Sequence, residues 1–175
     1  MIDAAWRLIA ERGLEGMAIR EVLARTGAPR GSVYHYFPNG RAELIQLAID
    51  RSRRWMVEQL IAAEPATPAD VITAYLDIWR RVLEGTNFQV GCAVAGLITG
   101  ATTGAERDRA KAAFAEIAEE LAREFERTGV PAALAGLRAM VLVCVAEGAV
   151  LVCRARQDIG PLNIVGEQLR ADWAI

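Results

Sequence analysis

The 175-residue sequence predicts an all-α protein, and three observations carry that expectation. Apolar residues recur at three- and four-residue spacing along nearly the whole chain, Gly or Pro stands at most junctions between those runs, and no segment alternates as a half-buried strand does. Internal repeats and low-complexity tracts are absent. The expected layout is an N-terminal helix-turn-helix module of three helices in residues 1–45, followed by a C-terminal helical body for dimerisation and ligand binding in residues 46–175.

The elements follow in order. Helix one places Ile2, Ala5, Trp6 and Ile9 on one face and ends before Gly13. Ile19, Val22 and Leu23 give the second helix an apolar stripe for packing on the third. Gly27 suits a left-handed turn, Pro29 the first turn of a new helix, and Val33 and Phe37, four apart, face inward. Pro38-Asn39-Gly40 breaks that helix, and a long one runs from Arg41 to about Ala63, where Pro65 stops it.

Thr67 with Asp70 forms a variant capping box ahead of the stripe Ile72, Tyr75, Leu76, Trp79 and Leu83, which ends at Gly85-Thr86-Asn87. A short helix follows from Cys92 to Ala101. Another spans Ala105 to Thr128, with Phe114, Ile117, Leu121 and Phe125 inside, Glu119 and Arg123 paired outside, and Gly129 as its stop. Residues 131–157 form a long apolar helix. Its β-branched Val141, Val143, Val145, Val150 and Val152 make strand the rival, but the apolar pattern extends back through Leu137 and Leu134 to Pro131 without a turn signal. A last helix opens at Gly160-Pro161 and carries Leu162, Val165, Leu169 and Trp173.

Composition bounds the function. With 53% hydrophobic and 24% charged residues the chain is globular rather than disordered. The net charge of −2 hides an asymmetry: residues 1–55 hold nine Arg against six acids, a surplus of +3, and the remainder carries −5. A basic module on an acidic body suits phosphate contact at one end. Three cysteines, Cys92, Cys144 and Cys153, lie in apolar surroundings, read as small hydrophobes in a reducing, cytoplasmic setting. The N-terminus begins as an amphipathic helix rather than a leader. The fifteen residues between Arg138 and Arg154 fall short of the ~20 that span a bilayer, so this helix is expected to be buried in protein, with no membrane partner.

The chemistry concentrates in the third helix. Its outer flank offers Arg30, Gly31, Ser32, Tyr34, His35 and Tyr36, with Arg20 and Arg41 close by in sequence. Arg pairs with guanine or phosphate, hydroxyls serve either, and Gly31 permits close backbone approach, which is what a helix entering a DNA major groove requires. His35, the sole histidine, is open between DNA contact and packing. Arg51, Arg53 and Arg54 read as a solvated helix face. Catalysis finds no support: one His lacks a fixed nucleophile, and no cluster has metal-ligand spacing. Gly96, Gly100 and Gly104 make no phosphate cradle and read as close helix packing. No catalytic residue, metal or cofactor is expected.

The segments Ala4 to Gly13, Ile19-Arg20-Glu21-Val22, Gly27, Gly31 to Phe37 and Glu43-Leu44 together resemble the TetR-type transcriptional regulators. Ala28-Pro29-Arg30-Gly31-Ser32, Phe37 to Arg41, Gly91-Cys92-Ala93-Val94 and Glu147-Gly148-Ala149 are similar to the subgroup typified by the lincomycin-resistance repressor. Two departures stand out. Met17-Ala18 occupies the place where much of the family has a hydroxyl that caps the second helix, and no basic arm precedes the first helix, which puts weight on Arg20, Arg30 and Arg41.

A single recognition helix makes few contacts, so helix-turn-helix proteins pair across a two-fold axis. The last two helices are the expected homodimer interface, as the resemblance also implies. For sensing, Trp55, Gln59, Tyr75, Trp79, Phe88, Phe114, Met140 and Cys144 are candidates to line an aromatic pocket for a small hydrophobic or aromatic effector, each with simple core packing as its competitor. Glu147 reads as a structural hydrogen-bond partner or a dimer-facing residue rather than a ligand handle. The resemblance implies a repressor that leaves a palindromic double-stranded DNA operator when its effector binds. The alternative is a helical small-molecule-binding or protein-interaction module without specific DNA binding. A steep salt dependence with preference for one palindrome separates the two.

Overall fold

The structure, a computed structural model, describes residues 1–173. Among these residues the chain forms nine α-helices and no strand: α1 (Ile2–Gly16), α2 (Ile19–Thr26), α3 (Arg30–Tyr36), α4 (Arg41–Ala62), α5 (Pro68–Gly85), α6 (Ala93–Thr99), α7 (Gly104–Arg127), α8 (Ala132–Arg156) and α9 (Gly160–Trp173). Two compact units emerge, Met1–Arg54 with Cys92–Ala113, and Trp55–Gly91 with Phe114–Ile175. The expected boundary at residue 45 thus falls inside α4. The α6 helix, expected in the C-terminal body, packs in the first unit.

Local rules account for most boundaries. Thr67 and Asp70 close a reciprocal capping box on α5, with the Asp70 amide donating to Thr67 Oγ1 at 3.2 Å and the Thr67 amide to Asp70 Oδ2 at 2.9 Å. Glu106 does the same at the start of α7, accepting from the amides of Thr102 and Thr103 at 2.9 and 3.0 Å. These bonds hold its carboxyl below the ordinary value. The C-cap of α2 is Gly27 at φ 66, the left-handed position the turn requires. Two expectations shift. The first helix does not stop at Gly13 but kinks there at φ 72 and continues to Gly16, and Pro29 is the N-cap of α3 rather than its first residue.

In the first unit, Leu8, Ile9 and Leu14 of α1, Val22, Val33, Phe37, Leu44 and Ile49 are buried. The α6 helix lies so close to α1 that a Cβ on Gly96 would come 2.5 Å from the Ile9 carbonyl oxygen, the close packing expected of that glycine. In the second unit, α5 packs against α8 and α9, and α8 against α9. Arg80 Nη2 donates to Asn163 Oδ1 at 2.8 Å and ties α5 to α9. Arg154 donates to the Phe88 and Gln89 carbonyls at 3.3 and 2.9 Å, fixing the loop after α5, where Asn87 and Phe88 adopt positive φ. Arg123 bonds Glu120 rather than Glu119, because the inner Glu120 is nearly buried and needs a counter-charge.

The α8 helix departs from expectation in how it is covered. It is helical along its full 25 residues, which removes the strand alternative, and is long and apolar enough by composition to cross a membrane. It is not enclosed, since only 39% of its most apolar window is buried. Ala135, Ala139, Leu142, Ala146, Ala149 and Cys153 face the core. Leu134, Leu137, Val141, Cys144, Gly148, Leu151 and Ala155 lie exposed on the other side. Both faces are apolar, so periodicity alone could not tell the covered face from the open one.

Candidate nucleic-acid interface

Three helices set the presentation of α3. The Arg25 guanidinium reaches from α2 to Glu11 of α1 by two parallel hydrogen bonds, Nη1 to Oε1 at 3.0 Å and Nη2 to Oε2 at 2.5 Å. The bond from Arg25 depresses the Glu11 carboxyl below its ordinary value and raises the guanidinium's. Ala18 caps α2 with no side-chain bond; its carbonyl accepts from the Glu21 and Val22 amides at 3.0 and 3.2 Å instead. The missing hydroxyl cap is therefore replaced by backbone alone.

On that frame α3 anchors through Val33, which is fully buried, and through Phe37 just beyond its end. Arg30, Gly31, Tyr34, His35 and Tyr36 all face solvent, and Ser32 is half-buried. Tyr34 and Tyr36 are 67% and 65% exposed, unusual for aromatic rings unless something else is to cover them. His35 packs edge-on against Tyr36 with ring centroids 4.9 Å apart. Nothing meets a Cβ built on Gly31 within 4 Å, so the backbone there lies open. Arg20, at the start of α2, is 86% exposed and within 3.4 Å of Glu21. Together these side chains form a polar and aromatic flank whose donors suit phosphate oxygens and base edges.

Arg41 is different. Its Nε donates to the Met17 carbonyl at 3.1 Å and its Nη2 to the Leu14 carbonyl at 2.8 Å. The Leu14 carbonyl, in the last turn of α1, also accepts from the Met17 amide at 3.2 Å, and a cation at this helix end favours the dipole. Expected at the DNA, Arg41 is engaged in closing the corner between α1 and α2. The opening of α4 is similarly occupied: Glu43 Oε2 accepts from the Asn39 amide at 3.0 Å. Sequence spacing could not reveal the Arg41 contact, which joins residues far apart in the chain.

The eight ligand-pocket candidates lie in the second unit in three kinds of environment. Tyr75 and Trp79 are buried on one face of α5. Trp55, Gln59, Phe88 and Phe114 are half-buried. Met140 and Cys144 are exposed on the open side of α8, which sets them apart from the other six. Glu147 is half-buried and partnered, in keeping with its structural reading. The groove between α5 and α9, about 310 Å³, is lined instead by Thr73, Asp77, Arg80, Asn163 and Arg170 among others. One polar atom of the candidate set stands out: the Trp79 indole Nε1 is buried and has no hydrogen-bond partner in the protein.

Comparison with known proteins agrees with this geometry. A family model for bacterial regulatory proteins of the tetR family matches residues 1–47, and one for the C-terminal domain of LmrA/YxaF-like transcriptional regulators matches residues 68–168. An HTH-type transcriptional regulator of Mycobacterium tuberculosis is 36% identical across 97% of this chain and 90% of its own. The HTH-type transcriptional regulator LmrA of Bacillus subtilis is 25% identical across 93% of this chain and 88% of its own. The crystal structure of a TetR transcriptional regulator from Legionella pneumophila superposes with a TM-score of 0.86 over 98% of this chain and 94% of its own, at 17% identity. The chain belongs to the TetR family of helix-turn-helix transcriptional regulators, in the group with an LmrA/YxaF-like C-terminal domain.

Proposed function

We propose that this regulator is a cytoplasmic repressor that holds a palindromic operator as a homodimer and leaves it when a small hydrophobic or aromatic molecule binds in the second unit. The observation that carries the reading is the outward flank of α3, where Arg30, Gly31, Tyr34, His35 and Tyr36 stand exposed opposite a buried Val33. Arg20 extends it at the start of α2, and Ser32 contributes a hydroxyl at its edge. Arg41 serves DNA binding indirectly, by holding the corner on which α2 and α3 depend.

Pairing is supported by α8. Its exposed residues Leu134, Leu137, Val141, Cys144, Gly148, Leu151 and Ala155 repeat at alternating spacings of three and four, the seam of a helix that packs at a shallow angle against another helix. Ile164 on α9 is 67% exposed and adds to the apolar surface. A second copy supplying the same two helices would cover both, giving a four-helix interface.

For release, an effector must bind the DNA-incompetent state more tightly. A coupling of about 1–3 kcal/mol changes operator affinity roughly 5–150-fold. The α4 helix, with residues in both units, is the element proposed to transmit it. Selection of duplexes from a random pool tests the DNA half of the reading. The expected product is a palindrome with half-sites about 34 Å apart or a multiple of that, bound with a steep loss of affinity as salt rises. Weak binding indifferent to sequence overturns it.

A further inference from the structure

An indole N–H is a donor with no acceptor capacity, and burying it unpaired forfeits its bond to water without replacement, which is why most buried donors find a partner. Trp79 is 4% exposed, its Nε1 is shielded from solvent, and no protein atom accepts from it. The neighbouring positions on the same buried face of α5, Ile72, Tyr75, Leu76 and Leu83, supply no cation. A neutral acceptor on an apolar body loses little on entry and gains the bond.

We propose that Trp79 Nε1 is the donor that reads the effector, and that the effector is therefore a largely apolar molecule bearing a neutral hydrogen-bond acceptor such as a ketone, quinone or ether oxygen or a ring nitrogen. This rests on the effector-sensing reading above and narrows its ligand class. Apolar surface supplies the bulk of affinity, and the single bond to Trp79 selects among molecules of similar shape. A ligand that presents only a donor at this point leaves the indole unpaired and is rejected.

Two flat tricyclic probes of nearly equal shape separate the contributions: fluorenone, which carries a ketone, and fluorene, which does not. Calorimetric titration of the full-length protein is expected to give fluorenone about a tenfold advantage, the worth of one buried hydrogen bond to an otherwise unpaired donor. That advantage disappears in Trp79→Phe. Because Phe leaves space behind, a second variant replaces Trp79 with benzothienylalanine, which keeps the two-ring shape and exchanges N–H for sulfur; it loses the advantage too, while fluorene affinity stays near that of the wild type. In nitrogen-15 spectra the Trp79 indole proton, assigned by its loss in Trp79→Phe, moves downfield with fluorenone and not with fluorene. Equal binding of the two probes by the wild type, or a preference that survives both variants, overturns the assignment of Trp79 and leaves the effector pocket standing. Failure of both probes to bind overturns the pocket reading and this one with it.

Discussion

Arg30 and Arg41 look alike in the sequence, two arginines flanking the same short helix, yet their surroundings give them different work. Arg30 stands free in solvent, whereas Arg41 donates to the carbonyls of Leu14 and Met17. Arg41→Ala is therefore expected to lower stability by about 1–2 kcal/mol, the loss of two charge-assisted bonds at a partly exposed helix end. Chemical denaturation measures this. The slope of log affinity against log salt for folded protein on DNA should stay at its wild-type value. Arg30→Ala should do the reverse, keeping stability while either reducing that slope by about 0.9, if the partner is a phosphate, or relaxing preference at one base pair. A reduced slope in Arg41→Ala with unchanged stability would return that residue to the DNA surface.

At the scale of elements, the pairing of α1 with α2 is clasped by Glu11 and Arg25, and it has a defined pH dependence. Hydrogen bonding to Arg25 lowers the folded-state pKa of Glu11. The clasp therefore contributes its full stability above the unfolded-state value, about 4.3, and loses it as pH falls through the lower folded-state value. Wild type should exceed Glu11→Gln by about 1 kcal/mol at neutral pH, the scale of a partly exposed ion pair. The difference should shrink steadily below about pH 4.3, as read from urea midpoints across the acid range. A difference that grows on acidification contradicts the clasp. The caps on α5 and α7 are local and legible from Thr67-x-x-Asp70 and Thr103-x-x-Glu106. The clasp joins residues of two helices and could not be read from either one.

For the whole molecule, α8 sets the consequence. An apolar helix with one face in the core and the opposite face in water is costly for a lone subunit, and the family to which the chain belongs binds operators as dimers. Leu137, 65% exposed in the single subunit, sits on that open face. Leu137→Glu should retain full helicity but sediment as a 19.0 kDa species, against the pair expected of the wild type. Operator affinity should fall by several orders of magnitude, because each half-site is then bound alone. A variant that remains dimeric places the interface elsewhere.

The sequence by itself determined the helical class, most helix limits, the outward chemistry of α3 and the family, because these depend on spacing and on side chains a few residues apart. Gly27, Pro38 and the pair Val33 and Phe37 sufficed to orient α3. Tertiary structure alone decided that Arg41 caps α1, that Arg25 clasps Glu11, that α6 packs on α1 through Gly96, that Met140 and Cys144 lie on the open side of α8, and that the Trp79 N–H is left without an acceptor. Each of these depends on which distant segment arrives beside the residue. Periodicity records that a face is apolar, and only the folded chain determines what covers it.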